Sequence, residues 1–177
     1  MDPRESPRVR WSVVGLLAWL GLKRGDTYPN VDALLAELRR ALPDDESVVL
    51  RYIAAVVVLL GKVAGADADG RLTENEEQTL RSSLAHINGL SSDAIEALTR
   101  ALKGKLPELR DEELALCVRE LKTLCDGRER VEILRLLAKV AAADGRLSPA
   151  ERAELHNVAA DLGVPESELA AVEEEIA

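Results

Sequence analysis

Residues 140–151 read Val-Ala-Ala-Ala-Asp-Gly-Arg-Leu-Ser-Pro-Ala-Glu, and residues 63–76 read Val-Ala-Gly-Ala-Asp-Ala-Asp-Gly-Arg-Leu-Thr-Glu-Asn-Glu. Both stretches follow a long apolar segment, pass through Asp-Gly-Arg-Leu and continue into a segment with helical spacing of its apolar residues. A structural unit that recurs within one chain commonly packs against its own copy. The repeat therefore predicts a helix–turn–helix unit that occurs twice in one fold.

Helical periodicity extends over nearly the whole chain, without strand-like alternation of useful length. The segments at about 45–66 and 128–143 are apolar nearly all round, which is typical of buried central helices. The sequence predicts an all-α fold, a compact helical bundle of about eight or nine helices. An N-terminal helical extension, residues 1–45, is expected to pack on a domain of residues 46–177, in which the two pseudo-repeats cover about 46–103 and 128–177. The remaining predicted helices lie at about 9–22, 30–42 with Asn30 as cap, 74–88, 92–103, 109–126, 149–162 and 165–176.

The composition limits the classes of partner. The chain has 177 residues, 47% of them hydrophobic, and a formal net charge of −9, which excludes an electrostatic footprint for nucleic acid. Such a chain favours cations or basic protein surfaces. The two cysteines, Cys117 and Cys125, are expected to be small buried hydrophobes in a reducing compartment; the alternative is an intermolecular redox pair. We therefore expect a cytoplasmic protein.

Residues 11–22 form a short apolar run between basic residues, with Arg8 and Arg10 before it and Lys23 and Arg24 after it. Twelve residues are too few to span a bilayer. We expect a helix docked on the main core. Two alternatives stay open: an interfacial membrane contact made by the two Trp and the flanking cations, and a cleaved or anchoring signal.

Most of the repeated turn is explained by helix capping. Thr73 with Glu76, and Ser148 with Glu151, match the capping box, in which a hydroxyl and a carboxylate satisfy backbone N–H groups reciprocally. Glycine in each turn suits the left-handed conformation that often follows a helix. This much predicts a tight helix–turn–helix and requires no ligand.

The aspartates of the turn are harder to explain by capping. Asp67, Asp69 and Asp144 follow the C-terminal ends of the central helices, where the helix dipole disfavours negative charge by about 0.3–1 kcal/mol. Such an acid in both copies calls for a positive counterpart, either an Arg or Lys of the chain or a metal ion. The candidate metal ligands are Asp67, Asp69, Glu76, Asp144 and Glu151.

The spacing of these acids matches the second half of an EF-hand loop only in part. Asp67, Asp69 and Glu76 would take the third, fifth and twelfth loop positions. Gly65 stands at the first position, and in the second copy Val140 and Ala142 stand where acids are needed. A standard EF-hand is therefore not expected. A looser site of oxygen ligands, completed by waters or by both copies, stays open.

Residues 136–165 resemble the tellurite-resistance TerB family, which includes a domain of the membrane-tethered co-chaperone DjlA. The resemblance rests on Asp-Gly-Arg-Leu-Ser-Pro-Ala-Glu at residues 144–151 and on Asp-Leu-Gly-Val-Pro at residues 161–165. The resemblance covers roughly residues 48–177. It implies a cytoplasmic all-helical fold without catalytic activity of its own. It also implies a role in the response to tellurite or other chemical stress, with metal binding by the turn acids Asp69, Glu76, Asp144 and Glu151.

These observations predict a non-enzymatic TerB-like module that binds a divalent metal ion, Ca²⁺, Mg²⁺, Mn²⁺ or Zn²⁺, through the duplicated turn. The alternative is a metal-independent helical scaffold for a protein partner in a membrane-associated complex, which would place the chain at the periphery of a membrane. Neither nucleic acid nor a small-molecule substrate is expected. No phosphate-binding loop and no Ser/His/Asp arrangement is recognisable in the sequence.

Overall fold

The structure, a computed structural model, describes residues 28–66, 72–86 and 90–176. These ranges contain helices and turns and no strand, so the prediction of an all-α helical bundle is confirmed. Short 3₁₀ helices at Leu106–Glu108 and Ala142–Asp144 follow the fourth and sixth α-helices. The α-helices of the described ranges are α1 (Pro29–Ala41), α2 (Ser47–Ala64), α3 (Glu74–Leu84), α4 (Ser92–Lys105), α5 (Asp111–Leu124), α6 (Gly127–Ala141), α7 (Pro149–Leu162) and α8 (Glu166–Glu175).

Helix α2 lies at the centre of the bundle, where it contacts α1, α4, α5, α6 and α7. Nearly all of its side chains from residue 50 onward are buried, as expected for a helix that is apolar on every side. In the described part of the chain, α2 is the one helix that is long and apolar enough to cross a membrane, and 72% of that window is buried inside the fold. Its apolar composition is accounted for by its place in the core.

The two copies of the repeat pack crosswise. The central helices α2 and α6 contact each other, α3 contacts α6, and α7 contacts α2. Each amphipathic helix therefore packs against the central helix of the opposite copy. This arrangement places the start of α3 against the 3₁₀ helix Ala142–Asp144 of the second turn.

The turn after α6 ends in a left-handed glycine, as the sequence predicts. Gly145 has φ 115°, and Gly163, which follows α7, has φ 72°. A residue with a side chain is strained in this region, whereas glycine reaches it without steric cost. At Gly145 the chain reverses and leads through Leu147, which is buried, into α7.

The predicted cap of α1 is wrong. The helix begins at Pro29, and Tyr28 at the N-cap position makes no side-chain capping bond. Asn30 lies one position inside the helix, and its Nδ2 donates to Glu113 Oε2 at 2.8 Å and to the Glu108 carbonyl at 2.9 Å. The Asn30 backbone N–H donates to Glu113 Oε1 at 2.9 Å. A carboxylate of α5 thus does for α1 what a capping side chain would otherwise do.

Candidate functional site at the junction of the two turns

Each amphipathic helix of the repeat begins with a complete capping box, which confirms the prediction. The Glu151 N–H donates to Ser148 Oγ at 3.2 Å, and the Ser148 N–H donates to Glu151 Oε2 at 2.8 Å. In the first copy the corresponding distances are 3.3 Å from the Glu76 N–H to Thr73 Oγ1 and 2.6 Å from the Thr73 N–H to Glu76 Oε2. Each glutamate is therefore held in a fixed orientation by its own backbone.

The two capping glutamates meet where the copies pack together. Glu76 is 2% exposed and Glu151 is 3% exposed, and the Glu151 carboxyl lies close enough to Glu76 to act on its pKa. Burial raises the pKa of Glu76 to about 7; Glu151 adds to the rise, and the hydrogen bonds from Thr73 oppose it. Two buried carboxyl groups in contact do not both ionise at low cost. The junction therefore needs a proton or another positive charge between them.

Asp144 reaches across to the opposite copy. It is exposed at the end of the second 3₁₀ helix, and its Oδ1 accepts a hydrogen bond from Thr73 Oγ1 at 3.5 Å. Thr73 is the N-cap of α3, and the N-terminal end of a helix carries partial positive charge. The negative charge of Asp144 interacts unfavourably with the C-terminal end of α6 but favourably with the N-terminal end of α3.

The structure brings three of the five predicted metal ligands together. Glu76, Asp144 and Glu151 lie at the junction, whereas Asp67 and Asp69 lie outside the described residues. Within the described ranges, no group of three or more His, Cys, Asp or Glu side chains is placed to hold a metal ion. A cation at the junction would therefore need further oxygen ligands from the first turn or from water. Each glutamate has one oxygen, Oε1, beyond the Oε2 used in capping.

The second turn does not form an EF-hand loop. Helix α6 continues through Val140, which is 1% exposed, so the position of a loop ligand is occupied by a core side chain. The solvent side of the junction is instead an open cleft that Asp144 and Glu151 share with Arg146 and Arg152. Arg152 is also paired with Glu173, with its Nη1 3.5 Å from Glu173 Oε1.

A buried ion pair in the core was missed by the sequence reasoning, which described the helix at 45–66 as apolar nearly all round and named no partner for its arginine. Arg51 Nε lies 3.1 Å from Glu120 Oε1, and each residue is 7% exposed. A single arginine within an apolar run is the signal that points to such a pair, because buried charges in proteins are paired. The position of its partner depends on how α2 and α5 pack.

The family model described as "Tellurite resistance protein TerB" matches residues 53–174. This span begins inside α2, contains both turns and ends in α8, so it includes the whole junction. The search of the curated proteins gave no match, and the search of the solved structures gave none either. Because the family model covers more than half of the chain, from the central helix to the last, the chain belongs to the TerB family.

Proposed function

We propose that the chain is a non-enzymatic module of the response to tellurite or other chemical stress, and that it binds a divalent cation where its two turns meet. The ligands would be Glu76, Asp144 and Glu151, with Asp67 or Asp69 of the first turn completing the set. Family membership supports the stress response in general terms. The cation is the further step that this proposal adds.

The contact between the two glutamates carries the proposal. Two carboxyl groups that are 2% and 3% exposed lie beside each other, and burial together with Glu151 raises the pKa of Glu76 to about 7. A proton shared at the junction would relieve the repulsion between them. A divalent cation would take the place of that proton and stabilise both carboxylates in their ionised form. Carboxylate oxygens suit Ca²⁺, Mg²⁺ and Mn²⁺, and also Zn²⁺.

A second candidate, the metal-independent scaffold, is favoured by a different observation. Glu76 and Glu151 already complete capping boxes, and Asp144 already lies beside the N-terminus of α3. In this view the acids only join the two copies, and a proton at the junction is sufficient. The function would then depend on a protein surface, with a partner at a membrane-associated complex in the cytoplasm.

A thermal melt followed by circular dichroism separates the two candidates. The chain would be melted with a chelator and then with Ca²⁺, Mg²⁺, Mn²⁺ or Zn²⁺ in turn. At a hundred times its dissociation constant, a ligand of the folded state adds about 2.7 kcal/mol to the free energy of unfolding. For a chain of this size, that is a rise in Tm of roughly 5–10 °C. We expect one of the cations to give this rise in the wild type and Asp144→Asn/Glu151→Gln to abolish it.

The chain offers a matched control for this double variant. Helix α6 begins with a third capping box, in which Asp126 accepts from the Glu129 N–H at 2.9 Å and Glu129 Oε2 accepts from the Asp126 N–H at 2.7 Å. Asp126→Asn/Glu129→Gln makes the same charge change at a surface cap, and should keep the full rise in Tm. If the Tm of the wild type is the same with the chelator and with every cation, the metal proposal is refuted. The metal-independent scaffold is then the remaining candidate function.

The stress role has its own test. Cells that lack the gene would be complemented with the wild type, with Asp144→Asn/Glu151→Gln and with the control pair, and grown at increasing tellurite concentration. If the cation is needed, the junction variant should fail to restore growth while the control restores it. Restoration by both variants would argue that the module acts without the metal.

A further inference from the structure

A shallow groove with a largely apolar lining lies beside α2. It lies between α1, α2 and α5, and its volume of about 450 Å³ includes space that opens to solvent. Asp32, Arg51 and Glu120 contribute polar atoms to it. Its apolar lining is formed by Tyr28, Val31, Leu35, Ala54, Ala55 and Leu116.

Exposed apolar side chains continue the groove along α2. The exposed large hydrophobic residues of the described part of the chain are Val48, Val49 and Tyr52, at 42%, 39% and 37% exposure. Residues three and four apart lie on one face of a helix, so Val48 and Tyr52 lie on the same side of α2 as Ala55 in the groove. An apolar surface of this kind usually marks a contact with another segment or molecule.

The chain itself contains a segment of the right length and chemistry. Tyr28, at which the described structure begins, lines the groove, and five residues separate it from the apolar run at 11–22. Five linking residues span at most about 20 Å, so the run is tethered within reach of the groove. Twelve residues in helical form are about 18 Å long, which is enough to follow α2 from Val48 to Ala55.

The charges also match. Asp32 lies in the groove, where burial and then the nearby Glu113 carboxylate raise its pKa, which means that a cation there would be favourable. The residues that join the apolar run to Tyr28 include Lys23 and Arg24. A segment docked over the groove would bring these cations near the negative groups of α1 and α5.

We propose that residues 11–22 of the same chain cover the groove between α1, α2 and α5 and the adjoining face of Val48 and Tyr52. The contact is intramolecular: one chain supplies both the groove and its cover. This surface is separate from the junction of the turns, and the inference does not depend on metal binding.

The aromatic residues provide an intrinsic probe of this contact. Trp11 and Trp19 are the only tryptophans of the chain, both within the apolar run, and Tyr28 and Tyr52 are the only tyrosines. Tyr28 lines the groove, and Tyr52 lies on the partly exposed face of α2. We would measure acrylamide quenching of Trp fluorescence in the full-length chain over a range of protein concentrations, with size-exclusion chromatography to monitor its oligomeric state. A docked segment should shield the Trp side chains at every concentration at which the chain is monomeric.

A surface variant tests the groove directly. Val48→Glu/Tyr52→Glu places two charges on the exposed face of α2, and we expect it to raise the Trp quenching constant by roughly twofold or more as the Trp rings enter water. The matched control, Ala153→Glu/Asn157→Glu, places the same charges at the same spacing on exposed positions of α7 and should leave quenching unchanged. Circular dichroism would check that both variants keep their helix content.

Energy transfer gives a second measurement that needs no disruptive substitution. Tyr52→Phe keeps an aromatic ring on the exposed face of α2 but removes one energy donor to Trp. If the segment docks beside Tyr52, this variant should lower the Tyr contribution to Trp emission. An equal contribution in the wild type and the variant would oppose the proposal.

Three other outcomes would overturn the intramolecular contact. If the quenching constant of the wild-type monomer equals that of solvent-exposed Trp, the segment does not cover the groove. Shielding that appears only as the chain dimerises would assign the groove to a second copy. Shielding that appears only on addition of vesicles containing anionic lipid would assign the segment to a membrane surface.

Discussion

At the residue scale, the junction depends on a like pair rather than on an ion pair. Glu76 and Glu151 come from equivalent positions of the two copies, and both are buried where they meet. A glutamate buried against a lysine would be satisfied permanently, whereas a glutamate buried against a glutamate needs a proton or a cation. The contact therefore makes the fold sensitive to pH and, on our proposal, to metal.

The first prediction concerns pH in the presence of a chelator. Because the pKa of Glu76 is about 7 in the folded chain, above its ordinary value of 4.5, the folded state binds more protons between these two values. Its free energy of unfolding should therefore fall as pH rises through that range. Glu76→Gln mimics the protonated form at every pH, so it should not lose stability as the wild type does. The difference in Tm between the variant and the wild type should therefore increase by roughly 4–8 °C from pH 5 to pH 8, which corresponds to about 2 kcal/mol.

Glu129→Gln serves as the control for this titration. Glu129 holds the same position in the capping box of α6 but is exposed, so its variant should follow the wild type across the pH range. Melts at pH 5, 6, 7 and 8 would suffice. Parallel curves for Glu76→Gln and wild type would contradict a proton shared at the junction.

The sequence predicts the parts of this site but not their contact. Ser148 and Glu151 lie three residues apart, so their reciprocal hydrogen bonds follow from local spacing. The contact between Glu76 and Glu151 joins residues 75 positions apart and depends on how the two copies pack against each other. The position of Asp144 beside Thr73 has the same origin, which is why the aspartate seemed unfavourable when α6 was considered alone.

At the scale of the helix, α2 shows how closely the elements of the core are packed. Gly61, near its C-terminal end, faces Leu102 and Leu106, where α4 runs into its 3₁₀ extension. A Cβ atom at Gly61 would lie 2.9 Å from Leu102 Cδ1 and would also overlap Leu106 Cδ2. Glycine at position 61 leaves the space that the side chains of Leu102 and Leu106 occupy.

The second prediction follows from this packing. Gly61→Ala should lower the free energy of unfolding by about 1–2 kcal/mol, because overpacking of the buried Leu102 outweighs the better helix propensity of alanine. Gly104→Ala, in α4, is the matched control, since nothing lies within 4 Å of a Cβ atom there. It should raise the free energy of unfolding by about 0.5–1 kcal/mol. Urea denaturation of both variants would measure these changes. A Gly61→Ala variant that is more stable than the wild type would show that the two leucines move aside freely.

The bounds of the helices were largely predictable, and the exceptions have tertiary causes. The helix predicted at 149–162 is observed at Pro149–Leu162, because its cap, its Pro and its terminal Gly are all local signals. The helix predicted at 109–126 ends at Leu124, and Cys125 leads into the cap of α6. At Asn30 a sound local signal failed because the helix begins one residue earlier, at Pro29, and the Asn30 side chain donates to Glu113 of α5 instead.

At the scale of the whole molecule, one buried carboxylate fastens the N-terminal helix to the bundle. Glu113 is fully buried and accepts hydrogen bonds from the Asn30 N–H, the Asn30 side chain and the Val31 N–H at 2.9, 2.8 and 3.4 Å. Burial acts to raise its pKa, but these hydrogen bonds and one from Arg110 lower it below the usual value. Helix α1 belongs to the predicted N-terminal extension, yet its first turn is completed from α5.

The third prediction tests this attachment. Glu113→Ala leaves buried donors of Asn30 and Val31 without their acceptor, and should lower the free energy of unfolding by about 2–4 kcal/mol. Glu112→Ala removes an exposed neighbour with the same charge and should change it by no more than about 0.5 kcal/mol. Urea denaturation would measure both. Equal stabilities would mean that α1 is held by its apolar face alone.

The crosswise packing also bears on how such a chain can change over time. In a symmetric dimer of identical halves, every substitution at the interface would appear on both sides at once. Here the two sides are separate stretches of one gene, so each can be altered while its counterpart stays as it was. The first turn is two residues longer than the second, so the two copies already differ in length. Duplication within one chain has thus allowed an internal two-fold interface to become asymmetric without losing either half.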